Sequence, residues 1–365
     1  MAVQDGDDRP VLVTGACGLV GSHVVPQLVR DGHRVVAVDL DGAANRRTMR
    51  RLTRSGAVDA HWADLTDEGA VSVLLAVARP KAIVHLAGII PPFAWKNPEL
   101  ARRVNVGATA ILVRAAEQLP ERPRFIQASS IAIYGPRNPH RVDGPVFAST
   151  PPNPIDNYGA HKVACERIVA RSSLEWVVLR LGGVMTPYPR WNMDPQLVRL
   201  EAVMPADGRI HTVDVRDVAH AFSAAVTTRA TREAFLIAGD ASHRVLQRTL
   251  GAALIEAMGM PGGLPAGRCG DPDSDSEWYP TDWMDTERSQ EVLCFQHHSL
   301  PEMLAASRDQ VGPLRHLLRP FAPVVRAALR RSSPYRNSPG RYADLWCAVQ
   351  ECWGDPAPDR VPAAA

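Results

Sequence analysis

The chain has 365 residues, 45% of them hydrophobic, which is enough for one large core or two coupled domains. The formal net charge of +2 gives no basis for binding nucleic acid or an acidic membrane through overall charge. The six cysteines show no Cys-x-x-Cys pair and no zinc-like spacing with histidine, so we expect reduced thiols, no metal site and a cytoplasmic protein. The first residues contain no apolar signal sequence and no apolar run reaches ~18 residues, so we expect neither export nor a membrane span.

A glycine-rich loop between a strand and a helix lies near the start of the chain. Residues 11–14 form a short apolar run typical of a buried strand, and an amphipathic helix follows the loop to about Arg30. Glycines in such a loop permit a tight turn and let backbone N–H groups approach a pyrophosphate at the positive helix N-terminus. The loop that would hold a dinucleotide comprises Gly15, Gly18, Leu19, Val20 and Gly21.

The next apolar run, residues 34–39, predicts a second buried strand that ends in an acid, Asp39. An Asp at this distance from the glycines is suited to bind both hydroxyls of an adenosine ribose, although it could also be a simple helix cap. Its carboxylate would repel the additional phosphate of NADP, and the nearby Arg46 and Arg47 could offset that repulsion. We therefore expect NAD as the cofactor, with NADP the less favoured alternative.

Strands and helices alternate through the following residues. A third strand over 57–63 ends at Asp64 and Leu65, a helix covers 67–79, and a fourth strand covers 81–87. This alternation predicts an α/β fold with a Rossmann-type, doubly wound parallel sheet, whose ligand crevice lies at the carboxyl ends of the strands. The residues at that edge are Gly15, Asp39, Asp64 and Ala87.

The pair Tyr158 and Lys162 has the spacing Tyr-x-x-x-Lys. Residues four apart share one face of a helix, so the phenol and the ammonium can converge. A neighbouring cation stabilises the phenolate and makes Tyr158 a plausible acid/base for a hydroxyl group. An ordinary solvated helix face would show the same spacing, but only three of the 41 basic residues are lysines, so retention of Lys162 indicates that a point charge is needed there.

Seven segments of the first ~240 residues resemble, in order, the motifs of the extended short-chain dehydrogenase/reductases called NAD-dependent epimerase/dehydratases. They are Thr14-Gly-Ala-Cys-Gly-Leu-Val-Gly21, Asp64-Leu65, His85-Leu-Ala-Gly88, Asn105-Val-x-Ala-Thr109, Ser129-Ser130 to Tyr134-Gly135, Tyr158-x-x-x-Lys162 and Val213-Asp-Val-Arg-Asp-Val-Ala219. The resemblance implies a bound dinucleotide, with Asp64 and Leu65 near the adenine and Ala87 near the middle of the cofactor.

The resemblance also implies a catalytic set of Ser130, Tyr158 and Lys162, supported by Asn105. Ser130 ends an apolar strand, so its hydroxyl would emerge at the crevice and could hydrogen-bond the reacting oxygen of the substrate. Lys162 could also reach the nicotinamide ribose, while the cofactor carries the hydride. Ser129 is the competitor for the role of Ser130, and Asn105 could instead be a helix cap or a packing residue.

Two departures from the family bear on the substrate. Ile131 and Ala132 stand where the 4,6-dehydratases of nucleotide sugars have an Asp-Glu pair, which argues against that reaction. The segment Arg180-Leu-Gly-Gly183 lacks the Asn that often touches a nucleotide-sugar diphosphate. In contrast, Arg268-Cys-Gly-Asp271 resembles a segment whose Arg can meet such a diphosphate, so this substrate class stays open.

We expect the substrate to be bound by aromatic and polar side chains of the loops around the crevice. Each of them could instead pack or belong to a lid. The candidate substrate residues are Trp95, Ser130, Tyr188, Arg190, Asn192 and Arg268.

We expect three parts in the chain. Residues 1–180, with a strand and helix near 211–240, would form the dinucleotide-binding domain, 181–308 would mainly bind substrate, and 309–365 would form a helical tail that is atypical of the family. The tail carries an apolar stripe that is interrupted by two prolines and should dock on the protein's own body or on a second subunit, as in a homodimer, with a membrane surface as the less favoured alternative. The stripe consists of Leu314, Leu317, Leu318, Phe321, Val324, Val325 and Ala328.

The leading functional hypothesis is an NAD-dependent oxidoreductase or epimerase that acts on a secondary alcohol or ketone of a small organic substrate. The alternative enzyme is a nucleotide-sugar 4-epimerase with tightly bound NAD. The alternative of another class is a catalytically silent NAD(P)-binding sensor or scaffold.

Overall fold

A seven-stranded parallel sheet forms the centre of the molecule in the computed structural model, which describes residues 8–188, 194–262, 267–331, 333, 335 and 340–358. Its strands follow the order β3-β2-β1-β4-β5-β6-β9. They are β1 (Val11–Thr14), β2 (Val35–Asp39), β3 (Val58–Trp62), β4 (Ala82–His85), β5 (Arg124–Ser130), β6 (Trp176–Leu181) and β9 (Glu233–Ile237). This sheet confirms the predicted fold class.

Helices cover both faces of the sheet and account for the buried, β-branched character of its central strands. The helices are α1 (Gly21–Arg30), α2 (Ala43–Leu52), α3 (Glu68–Ala78), α4 (Phe93–Lys96), α5 (Pro98–Arg102), α6 (Ala108–Glu117), α7 (Asn157–Arg171), α8 (Pro195–Val203), α9 (Val215–Thr227), α10 (Gln247–Ala257), α11 (Glu287–Leu293), α12 (Leu300–Val311), α13 (Leu314–Leu318), α14 (Ala322–Arg331) and α15 (Leu345–Trp353). Val24 of α1 and Phe222 of α9 pack on one face. Leu75 of α3 and Leu112 of α6 pack on the other, so the sheet is doubly wound.

A second, three-stranded sheet lies apart from the first. It contains β7 (Gly183–Met185), β8 (Arg209–Asp214) and β10 (Arg244–Leu246), with β8 in the middle. Helices α10 and α12 pack against it through a small core that includes Leu250 and Met303. The chain therefore leaves the large sheet after β6 and returns to it at β9.

The tail helices α13 and α14 are short, as the two prolines predicted, and a tight turn at Arg319–Phe321 separates them. We expected their apolar stripe to dock on the protein's own body. That expectation is wrong, because four of its side chains are between 53% and 67% exposed: Leu314, Leu317, Phe321 and Val324. This segment meets the body through backbone at Arg315 and through the buried Ala322 instead. That a second subunit or a membrane covers the stripe stays a prediction.

Helix α15, near the end of the chain, is the part of the tail that docks. Leu345 and Val349 are fully buried beside Trp95 and Trp353. Within the described residues, no helix combines the length and the apolar character needed to cross a membrane.

We predict that Leu345→Ala lowers the free energy of unfolding by about 2–5 kcal/mol, because it leaves a cavity in a fully packed cluster. The same change at the exposed Leu317 should alter stability by no more than about 0.5 kcal/mol. Denaturant-induced unfolding of the two variants measures the difference. Equal losses would show that α15 is no more firmly docked than α13.

Candidate active site

The glycine loop after β1 approaches the end of β4 closely. Gly15 adopts a left-handed conformation with φ +66°, and a Cβ atom there would lie 2.8 Å from the backbone nitrogen of Ala87. A Cβ atom at Gly21 would overlap the carbonyl oxygen of Gly15. The loop can therefore bring bare backbone to a ligand at the N-terminus of α1 only with glycine at these positions.

Asp39 lies at the carboxyl end of β2, next to the glycine loop. Its Oδ2 accepts the backbone N–H of Cys17 at 2.8 Å, and its Oδ1 accepts the side-chain amide of Asn45 at 3.0 Å. Burial, followed by the charge of Asp39, raises the pKa of the Cys17 thiol to about 11. The carboxylate is thus oriented toward the crevice and the thiol beside it is neutral.

The two arginines that could offset a repulsion of NADP are exposed on α2. The guanidinium of Arg46 forms an ion pair with Asp41, at 2.5 Å from Nε to Oδ1. A 2′-phosphate would have to compete with Asp41 for this cation, which favours NAD over NADP.

Asp64 and Leu65 follow β3, at the far end of the same edge. Asp64 Oδ1 accepts both the N–H and the hydroxyl of Thr66, which shapes the turn, and Leu65 is buried in the core. Ala87 follows β4 and faces the glycine loop. Every predicted cofactor contact therefore lies along one edge of the sheet, in the strand order of the sheet itself.

A buried chain of hydrogen bonds lies beneath the middle of this edge. Thr14 Oγ1 lies 2.7 Å from Nδ1 of His85, and the Nε2 of His85 lies 3.1 Å from Oγ1 of Thr109. Burial, with a smaller effect of the Lys162 charge, lowers the pKa of His85 to about 3. A neutral His85 therefore ties β1 and β4 to α6, a role that sequence reasoning did not assign although it noted the motif.

Asn105 lies in a wide, π-helical turn, Arg103–Gly107, between α5 and α6. Its Oδ1 accepts the N–H of Ile89 at 2.7 Å and its Nδ2 donates to the carbonyl oxygen of Ile89 at 2.9 Å. Turns of this kind are frequent at functional sites. Asn105 holds the loop after β4, directly beside Gly88, where a Cβ atom would lie 3.1 Å from its Oδ1.

Lys162, on α7, reaches the same point from the other side. Its Nζ donates to the carbonyl oxygen of Ala128 at 2.8 Å and lies 5.7 Å from the centre of the Tyr158 ring. The Cβ position of Gly88 is 3.9 Å from this nitrogen. The structure thus brings together the ammonium, the phenol and the ends of β4 and β5.

Ser130 and Ser129 point to opposite sides of β5, as neighbours on a strand must. Ser129 is buried and donates to Oε1 of Glu166 at 2.5 Å. Ser130 is half-buried, and its Oγ accepts the N–H of Ala132 at 3.2 Å. The turn after it packs against α7, where a Cβ atom at Gly159 would lie 2.6 Å from the carbonyl oxygen of Ala132. The geometry supports the choice of Ser130 as the hydroxyl in the crevice.

Asp156 caps α7 and was missed by the sequence reasoning, although an Asp just before a helix is a recognisable capping signal. Its Oδ1 accepts the N–H of Gly159 at 2.8 Å and its Oδ2 accepts Nε1 of Trp95, also at 2.8 Å. Burial raises the pKa of Asp156 to about 6, against the lowering effect of these hydrogen bonds. A fully buried carboxyl group therefore orients the start of the helix that carries Tyr158.

The candidate substrate residues are scattered. Trp95 is buried under α15, and the Tyr188 ring stacks on His23 of α1 with ring centres 5.7 Å apart, beside the glycine loop. Arg268 lies over the Tyr335 ring and donates from Nη2 to its carbonyl oxygen at 2.8 Å. The remaining two, Arg190 and Asn192, lie outside the described residues.

Two further residues near Tyr158 had no motif to reveal them. Burial, and then the charges of Asp156, Tyr158 and Glu201, raise the pKa of Tyr279. Desolvation raises the pKa of the Glu201 carboxyl group, although much of this side chain is exposed. The Gln247 amide donates to Glu201. Tyr279 therefore lies near Tyr158, and Glu201 lies near Tyr279.

The model of the NAD dependent epimerase/dehydratase family matches residues 11–238, more than half of the chain. The chain belongs to this family. The predicted family is confirmed. Among the described residues, no group of three or more His, Cys, Asp or Glu side chains could hold a metal ion.

The curated relatives of the chain carry different activities in their names. UDP-glucose 4-epimerase 4 of Oryza sativa subsp. japonica is 33% identical over 192 residues, which are 49% of this chain and 50% of that protein. Human 3 beta-hydroxysteroid dehydrogenase type 7 is 28% identical over 173 residues, 47% of this chain and 44% of that protein. The chain spans about half the length of the curated relatives it matches.

Among solved structures, MoeE5 in complex with UDP-glucuronic acid and NAD has a TM-score of 0.65 and 25% identity. The alignment covers 82% of this chain and 98% of MoeE5. Almost all of the epimerase/dehydratase fold is therefore present here, together with segments that MoeE5 does not share.

We predict that Asp156→Asn changes how stability depends on pH. The folded chain keeps the Asp156 proton up to a pH of about 6, whereas the unfolded chain releases it near ~4, so ionisation destabilises the fold as the pH rises between these values. The stability of the wild type relative to Asp156→Asn should fall by roughly 2 kcal/mol from pH 4 to pH 7. Denaturant titrations across this range would contradict the assignment if the difference stayed constant.

Proposed function

We propose that this protein is an NAD-dependent oxidoreductase or epimerase that acts on a secondary alcohol or ketone of a small organic substrate. The observation that carries the proposal is the convergence of Lys162, Tyr158 and Ser130 at the carboxyl ends of β4 and β5, with the Lys162 nitrogen 5.7 Å from the Tyr158 ring. This edge is where parallel sheets of this kind bind their ligands. The catalytic set and the cofactor edge are continuous with each other.

The residues fit a dinucleotide. The close approach of Gly15 to Ala87 leaves a cradle that any Cβ atom would fill, and backbone N–H groups at the start of α1 can meet a pyrophosphate. Asp39 would accept the ribose hydroxyls, and Asp64 and Leu65 would lie by the adenine. The five strands from β3 to β5 span roughly 19 Å along the edge, which suits an extended cofactor.

NAD, when bound, supplies or accepts the hydride. Tyr158 takes the proton from the substrate hydroxyl, or returns it to the carbonyl oxygen. The Lys162 ammonium stabilises the phenolate and can hold the nicotinamide ribose, while Ser130 donates a hydrogen bond to the reacting oxygen. Asn105 supports this set by fixing the loop at Ile89 rather than by touching the substrate.

A nucleotide-sugar 4-epimerase is the second candidate, and the names of the rice relative and of the MoeE5 complex favour it. Two features count against it. Gly183 stands where many nucleotide-sugar enzymes have an Asn, so no side-chain amide is available there for a diphosphate. Arg268 already contacts Tyr335 of the tail. The human protein to which the chain is similar is named for a hydroxysteroid substrate, so similarity to relatives does not by itself require a sugar nucleotide.

A catalytically silent NAD(P)-binding sensor or scaffold is the remaining alternative. The packing of Lys162 between Ala128 and the Tyr158 ring argues against it. Burying an ammonium group costs free energy, and a protein without catalytic activity would not need this charge. Cofactor retention separates the two enzymatic candidates. Tightly held NAD without net NADH formation indicates an epimerase, and exchangeable NAD with substrate-dependent absorbance indicates a dehydrogenase.

We predict that Tyr158→Phe abolishes turnover while NAD still binds. The substitution keeps the ring that contacts Lys162 but removes the proton that is transferred. NAD affinity by calorimetry and turnover in a substrate screen are measured on the same preparation. A variant that kept more than a few per cent of the wild-type rate would exclude Tyr158 as the acid/base.

We predict that Asp39→Ala weakens NAD binding and improves the affinity for NADP relative to NAD, because no carboxylate then faces the 2′-phosphate. Asp41→Ala is the matched variant, since it frees Arg46 but leaves Asp39 in place. It should strengthen NADP binding without weakening NAD. An unchanged ratio of the two affinities in Asp39→Ala would contradict the placement of the ribose.

A further inference from the structure

The first turn of α7, which carries Tyr158, is held by the end of the chain. The first N–H groups of a helix have no partner within the helix. At α7, the N–H of Asn157 donates to the carbonyl oxygen of Pro356 at 2.8 Å, and the N–H of Gly159 donates to Asp156 at 2.8 Å. Pro356 is buried, so its carbonyl group is a fixed partner.

A second connection runs through Trp95. The indole N–H of Trp95 donates to the other oxygen of the capping carboxylate, Asp156, at 2.8 Å. The Trp95 ring lies 5.9 Å from the ring of Trp353 and 6.1 Å from that of Trp346, between centres. Both tryptophans belong to α15, so the orientation of the cap depends on that helix.

Helix α15 is itself attached to the substrate side of the molecule. The indole N–H of Trp353 donates to Oε1 of Gln196 on α8 at 3.1 Å, and that of Trp346 donates to the carbonyl oxygen of Ser276 at 2.7 Å. The N–H of Ala343 donates to the carbonyl oxygen of Cys269 at 2.8 Å. These hydrogen bonds and the fully buried Leu345 hold the segment in a fixed position beside the site.

We propose that residues 343–356, here called the closing segment, position the acid/base Tyr158 by holding the N-terminus of α7. The proposal rests on the proposed function, in which Tyr158 transfers the proton. Tyr158 is the second residue of α7, directly after the residue that Pro356 binds. A misplacement of about 1 Å at a reacting group can reduce turnover about 100-fold, so a shift of this turn would be felt in catalysis.

The closing segment should leave cofactor binding largely unaffected. Most of the dinucleotide residues follow β1 to β4, and Lys162 is held separately by the carbonyl oxygen of Ala128, whereas the closing segment contacts the start of α7, α4 and α8. A positioning role therefore predicts loss of turnover with retained NAD affinity. Loss of both together would instead indicate general unfolding and would overturn the proposal.

Two truncations isolate the Pro356 contact. A chain that ends after Gly354 keeps α15 but lacks the Pro356 carbonyl, and a chain that ends after Ala357 keeps both. Hydrogen–deuterium exchange in the presence of NAD should show the Asn157 amide exchanging about 10-fold faster in the shorter chain only. Turnover should fall about 10–100-fold in the shorter chain and stay at the wild-type level in the longer one. Equal exchange and turnover in the two truncated chains would overturn the proposal.

Trp95→Phe tests the second connection in the full-length chain. It keeps an aromatic ring beside α15 but removes the N–H that Asp156 accepts. The Gly159 amide should exchange faster and turnover should fall at unchanged NAD affinity, while Leu317→Ala in the exposed part of the tail changes neither. Unchanged exchange at Gly159 would overturn the proposal.

The exchange measurements do not depend on a substrate. If the wild type turns over no substrate at all, the proposed function fails, and the amides of Asn157 and Gly159 still show whether the closing segment holds the helix.

Discussion

The attachment of α7 to the large sheet is the constraint on which the candidate active site depends. Two contacts along the helix fix it: Lys162 donates to the carbonyl oxygen of Ala128 on β5, and Glu166 pairs with Arg180 on β6. The guanidinium of Arg180 binds both oxygens of Glu166, at 3.0 and 2.7 Å. A nearly buried ion pair with two hydrogen bonds adds little net stability, but its geometry permits only one relative position of the two side chains. Its value here is the fixed distance between α7 and β6, the neighbour of the strand that ends at Ser130.

The fold and the cofactor edge could be predicted from the sequence because their causes are local. A β-branched run, a glycine spacing and an acid at the next strand end each follow from backbone conformation or charge at one place. The resemblance to the family then assigned Ser130, Tyr158 and Lys162. The structure adds contacts between distant parts of the chain, such as Gly15 with Ala87 and His85 with Thr109.

The substrate side could not be predicted in the same way, because it is built from contacts between residues far apart in the sequence. The aromatic character of Trp95 indicated a ligand contact equally well as packing, and the residues of α15 decide for packing. The apolar stripe of α13 and α14 had the right periodicity for docking, yet periodicity does not specify a partner, and the prolines leave it exposed. Tyr279 belongs to no motif and becomes visible only through its proximity to Tyr158.

The electrostatics of this side also bear on the substrate. Burial raises the pKa of Asp156, which caps the helix that carries Tyr158, so the surroundings at the start of α7 disfavour negative charge. Arg268, which could compensate an anionic group, is held by Tyr335. A substrate that brings a neutral hydroxyl or carbonyl group to Tyr158 adds no charge to this environment. Under the proposed mechanism, the charge that develops during proton transfer would lie on the Tyr158 phenolate beside Lys162, where the low polarity of the site would strengthen their attraction.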